Sequence, residues 1–183
     1  MEKLCTMKIS FPLLLVLSLL TSCAYHSGNP TLHPEMRTLA IAEVLNQTPE
    51  SSLTALLKNA LAERIANEPG LRLASANSDN AAQLKLRITA LDNRSMARTK
   101  LRDDEHVDYE GDAYQTVLYQ VSAKVIYEVY SADTPGKLLR SGELTGQADL
   151  PKLHDREVAL RSALRQLAID LAAGLVVELS ETR

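Results

Sequence analysis

The densest chemistry in this 183-residue chain lies between Arg94 and Asp112. The run NRSMARTKLR supplies Arg94, Arg98, Lys100 and Arg102, and Asp103, Asp104, Glu105, Asp108, Glu110 and Asp112 follow directly. Guanidinium groups grip phosphate in a two-pronged way and lysine adds a mobile point charge, so the basic half suits a ligand that bears phosphates. The acidic half could attract a hard cation, but its spacing is not that of an EF-hand loop. Taken alone, each half reads as solvated loop, and adjacent runs of opposite sign can neutralise one another. Catalytic patterns are missing. His26, His33, His106 and His154 form no HExxH or paired-ligand spacing, the seven glycines are scattered, and there is no GxSxG. The expectation is a chain that is not an enzyme and has no cofactor and no metal centre.

The remaining reactive side chains are two cysteines, Cys5 and Cys23. Ile9 to Leu20 is a mostly apolar run preceded by Lys3 and Lys8, too short for a permanent span and suited to a signal-peptide core. It closes on Leu20-Thr21-Ser22-Cys23, which resembles the bacterial lipobox. There the thiol takes a diacylglycerol through a thioether, and the small residues before it allow cleavage that leaves the cysteine as the new N-terminus. Cys23 is therefore the expected lipidation site. Two or more acyl chains, at about 0.8 kcal/mol per buried methylene, anchor stably where one does not. Ala24 stands where enterobacteria-like sorting would place a retaining Asp, so the expectation is a periplasm-facing lipoprotein of the outer membrane. Cys5 leaves with the leader, and the mature domain then has neither disulfide nor free thiol.

Composition bounds the rest. Hydrophobic content of 45% and charged content of 23% are those of a globular domain. Past residue 22, 18 basic residues face 22 acidic ones, so no overall attraction draws the chain to nucleic acid. There is no Trp, and Phe11 falls in the leader, which argues against an aromatic-lined cofactor pocket.

Residues 1–22 thus read as signal peptide, 23–35 as a lipidated tether containing Gly28, Pro30 and Pro34, and 36–183 as one domain. Arg37 to Val44 reads as a strand. Thr48-Pro49 then reads as an N-cap with Pro in the first turn, before Leu53, Leu56, Leu57, Ala60, Leu61 and Ile65 at helical spacing, with Pro69-Gly70 as the stop. Leu71 to Ala74 is a short strand. In Gln83 to Leu91, Leu84, Leu86, Ile88 and Ala90 alternate with Lys85, Arg87 and Thr89, the pattern of a strand with one wet face. Asn93 to Ala113 reads as a long polar segment. Tyr114 to Tyr130 is a long strand, DTPG at Asp133 to Gly136 a turn, and Lys137 to Ala148 the return strand. Leu153 to Leu179 reads as a terminal helix, with Asp155 and Glu157 suiting its dipole. The order β-α-β-β-β-β-α, second strand short, predicts an α+β fold: a mixed or antiparallel sheet of four to five strands covered on one face by two helices.

The succession CAYH, TLAIAEVLNQTPE, LTALLKNALAERI, LRLASANSDNAAQLKLRITALD and YQVSAKVIYEVY, closed by a helix, resembles the LPS-assembly lipoprotein LptE family along most of the mature chain. That resemblance implies a non-catalytic plug and partner of the large outer-membrane β-barrel LptD, one that binds lipopolysaccharide. Cys23 matches the family's lipidated cysteine. Arg94, Arg98, Lys100 and Arg102 are the candidate contacts for lipopolysaccharide phosphate. A lipoprotein that regulates a cell-wall synthase, or one that binds another periplasmic partner, would carry a similar leader and a similar small domain.

Overall fold

The computed structural model describes residues 34–100, 114–152 and 155–180, all within the compact unit Thr31–Arg183. A single 3-10 turn, Pro34–Met36, buries Met36 and leads into β1 (Thr38–Asn46). Helix α1 (Ser52–Ala66), β2 (Arg72–Ala74), β3 (Ala82–Lys100), β4 (Tyr114–Tyr130), β5 (Leu138–Pro151) and α2 (Arg156–Ser180) follow. The sheet order is β2-β1-β3-β4-β5, with β1 parallel to both of its neighbours and the other pairs antiparallel. This is the expected α+β fold, with five strands in the expected order. Parallel pairing of β1 with β2 needs a crossover, and α1 supplies it.

Both helices cover the same face. α1 buries Leu53, Leu57, Leu61 and Ile65 at four-residue spacing. α2 buries Leu164, Leu167, Leu171 and Leu175 together with Ala159, Ala163, Ala168 and Ala172, whose small side chains let it lie close to the sheet and to α1. Beneath them lie Leu39 and Ile41 of β1, Leu84, Leu86 and Ile88 of β3, and Val121, Ala123, Val125, Tyr127 and Val129 of β4. Among the described residues, no helix covers the other face. Lys124 meets Glu143 there at 2.6 Å, and the Lys85 ammonium sits 5.1 Å from the centre of the Tyr130 ring. Among the described residues, no helix is long and apolar enough to cross a membrane.

Several boundaries move from their expected places, each for a local reason. Thr48 is not the N-cap. Its N–H and hydroxyl both donate to Asn46 Oδ1, at 2.9 and 2.7 Å, while Asn46 Nδ2 donates to the Glu50 carbonyl at 2.8 Å. This Asx arrangement holds the chain out of the helix until Ser52. β3 does not end before Asn93. It runs on to Lys100, so the first third of the expected polar segment is strand. β5 continues past Ala148 because Leu150 is buried opposite Tyr119, and Pro151 is tolerated at the end of an edge strand. α2 starts at Arg156, where Asp155 Oδ1 accepts the N–H groups of Glu157 and Val158 at 3.0 and 3.1 Å. The Asp133–Gly136 turn forms as expected. Gly136 holds φ +81° after Pro135, and the Lys137 N–H donates to the Thr134 carbonyl at 3.1 Å, the pattern of a type II turn.

Candidate functional site

One irregularity in β3 decides where its cations go. Before it, Leu84, Leu86 and Ile88 face the helices. The register then skips Thr89: Ile88 pairs with Val125 but Ala90 pairs with Lys124. A β-bulge of this kind reverses the alternation downstream. Ala90, expected on the apolar face, therefore lies on the uncovered face beside Lys124, and Leu91 takes the inward place opposite Ala123. The same reversal puts Arg94 on the uncovered face, in a row with Gln120 and Asp149, and turns Asn93 toward the helical side in a row with Val121 and Ala148. Without the bulge, Arg94 would point toward the helices.

Two further register shifts, between Ser95 and Ala97 and between Ala97 and Arg98, twist the outer part of β3. Ser95 and Thr116 still tie the two strands, with their hydroxyls 3.2 Å apart. β3 and β4 extend here past the last residue of β5, Pro151, which pairs with Leu118. This two-stranded ribbon leaves Met96 52% and Val117 37% exposed. Arg98 is exposed on it opposite Thr116, and Lys100 ends β3 opposite Tyr114. Arg102, the acidic stretch from Asp103 to Asp112, Cys23 and all four histidines lie outside the described residues.

On the helical side of the same end, Asn93, Tyr119, Leu150, Pro151, Lys152 and Arg156 line a depression of about 270 Å³. The Lys152 N–H donates to the Val117 carbonyl at 2.9 Å, which fixes its backbone beside the ribbon. Arg156 opens α2 one residue after the capping Asp155. Asp155 spends its acceptor on the helix amides. Neither Lys152, Arg156, Arg94 nor Arg98 forms an ion pair with a described residue. The result is an apolar floor of Tyr119, Leu150 and Pro151 under two cations, with Arg94 across the sheet and Arg98 on the ribbon. Chemically, such a place can hold an amphiphile that carries negative charge: apolar atoms against the floor, phosphate or carboxylate oxygens on the cations.

Lys152 and Arg156 were absent from the sequence expectation. In the sequence they are two ordinary charges beside a proline and a helix start, 50 or more residues from Arg94. Only the pairing of β4 with both β3 and β5 brings the three segments to one end. No group of three or more His, Cys, Asp or Glu residues able to hold a metal ion occurs among the described residues.

No family model and no curated protein matches the chain. Among solved structures, the hypothetical protein CT253 from Chlamydia trachomatis is similar in fold, with a TM-score of 0.51 at 13% identity over 78% of this chain and 95% of that one. The rare lipoprotein B from Shewanella oneidensis aligns at TM-score 0.44 and 15% identity, over 78% of this chain and 93% of that one. The minor lipoprotein from Acinetobacter baumannii aligns at 0.43 and 15%, over 79% and 93%. Solved structures that align with this domain include bacterial lipoproteins; the likeness to CT253 bears on the fold alone.

Proposed function

We propose that this chain is a non-catalytic outer-membrane lipoprotein, acylated at Cys23, that assists lipopolysaccharide assembly as an LptE-like partner of an LptD-like β-barrel. The observation that carries this reading is the set of cations without a described carboxylate partner around the apolar depression at the end of β3, β4 and β5. A lipid that presents phosphates on an acyl-bearing sugar matches both halves of that surface. The uncovered polar sheet face suits the water-lined lumen of a large barrel. Nothing in this reading needs a reactive side chain; the protein acts by holding and orienting. The test is affinity purification of the full chain from detergent-solubilised membranes, with intact-mass measurement of the purified protein. The expected result is an acylated polypeptide that retrieves a large β-barrel and lipopolysaccharide. Retrieval of a cell-wall synthase instead, or an unacylated chain, would overturn the proposal.

A further inference from the structure

Among the described residues β5 is an end strand of the sheet, and its outer edge is long. In an antiparallel ladder, residues alternate between those bonded to the neighbour and those whose N–H and C=O point away. Gln147 is of the second kind, because its N–H donates outward to Asp170 Oδ2 of α2 at 3.0 Å. By the period of two, Ser141, Glu143, Thr145 and Asp149 present their backbone groups along the same edge. Such a row is a template for another strand, usually blunted by lysines, prolines or bulges. β5 carries no lysine, and its only proline is the last residue. The carboxylate of Asp170 sits on this edge at Gln147.

Its reach depends on a glycine. A Cβ at Gly146 would lie 2.6 Å from Leu171 Cγ and 3.3 Å from Asp170 Oδ2, so only glycine lets this turn of α2 come down onto the strand. Two helical turns on, Glu178 accepts from Tyr127 Oη at 3.3 Å and pairs with Arg140 of β5 at 3.5 Å. α2 is thereby pinned to β5 at Gln147 and at Arg140.

We propose that Asp170 is an edge guard: it occupies the Gln147 amide and sets a negative charge where an incoming carbonyl would dock, and so keeps β5 from pairing with β5 of a second copy of this chain. The second copy is the relevant intruder because each copy brings the same open row, and two such edges meet antiparallel about a two-fold axis. In that pairing the Asp170 carboxylates of both copies would face backbone oxygens. The guard acts whatever the domain binds elsewhere.

The experiment compares the full chain, purified in detergent, with its D170A and D170N variants by light scattering across a concentration series. Circular dichroism reports folding, which an exposed side chain does not endanger. A T145C substitution in each background, bridged with a short bismaleimide, reports where the copies meet; the same chains without T145C control for Cys5 and Cys23. The expected result is one chain for the parent at all concentrations, and a doubling of mass with concentration for D170A together with a Thr145-specific bridge. D170N keeps an oxygen that can accept from Gln147 but loses the charge, and is expected to double in mass less readily than D170A. A folded D170A that remains single, a dimer that does not bridge at position 145, or D170N dimerising as readily as D170A would each overturn the proposal.

Discussion

Replacing Lys152 and Arg156 together by glutamine tests the proposed anionic-amphiphile site where its electrostatics are simplest. Both side chains are exposed and neither is paired with a described carboxylate, so their removal strips charge without orphaning a partner. A hydrogen bond to a charged group is worth about 1.5–3 kcal/mol when well desolvated, and solvent at this open rim reduces each to about 0.5–1.5 kcal/mol. The pair should then cost about 1–3 kcal/mol of binding, or about 5- to 150-fold in Kd for a bisphosphorylated lipid A. The Asp155 cap of α2 does not involve either cation, so unfolding free energy should stay within about 0.5 kcal/mol of the parent. The assay is titration of the full chain in detergent with fluorescent lipid A at low and at physiological salt, beside the same lipid stripped of its phosphates. The parent's advantage should shrink as salt rises, since the Debye length falls to about 8 Å at 0.15 M. Unchanged affinity in K152Q/R156Q, or an equal loss for the dephosphorylated lipid, would refute the reasoning.

Other consequences are read from stability. In G142A the new Cβ would lie 2.7 Å from Tyr127 Cε1 and Oη, so overpacking should cost about 1–3 kcal/mol, and denaturant titration should find less than the sum of the single costs in G142A/Y127A, where the ring is gone. G136A meets no atom within 4 Å, yet its φ of +81° should cost about 1–2 kcal/mol through backbone strain alone, measured the same way. Burial, and then Glu178, raise the Tyr127 pKa above its ordinary value of 10.0. The folded state therefore holds that proton more tightly; the stability it contributes is complete below pH 10.0 and drains away as pH rises through the raised value. Y127F should lose about 0.5–1.5 kcal/mol at neutral pH with the Glu178 hydrogen bond, and should show a shallower alkaline fall in melting temperature. L57A, at a position 1% exposed between α1 and the sheet, should cost about 2–5 kcal/mol by thermal unfolding.

Much of the architecture was legible because each element carries its own pattern. β4 spans the same residues that its alternating valines, tyrosines and polar partners predicted, and Pro135-Gly136 makes its turn where turn chemistry requires it. The helices bury the leucines that recur at helical spacing. Such signals are local: periodicity of 2 or 3.6 residues survives in the chain whatever packs against it. The limits of elements were less legible because they depend on competition. Asn46 draws Thr48 away from the cap position that Thr48-Pro49 predicts, and a strand rich in Asn, Arg and Ser persists to Lys100 because β4 supplies a ladder for it.

The candidate site divides along the same line. Residue types alone determined that Arg94 and Arg98 could serve a phosphate, and the run ending at Cys23 set the expectation of a lipid anchor. The tertiary structure decided which way the cations face and what joins them. The bulge at Thr89 turns Arg94 outward and Asn93 inward, a reversal invisible in LRITALDNR, where apolar and polar residues alternate through Ala90 as if the ladder were regular. Lys152 and Arg156 enter the site only through the register of three strands. Local sequence specifies which hydrogen bonds a segment can make; which residue is left unpaired in a ladder, and which distant charges become neighbours, is set by the partner strands.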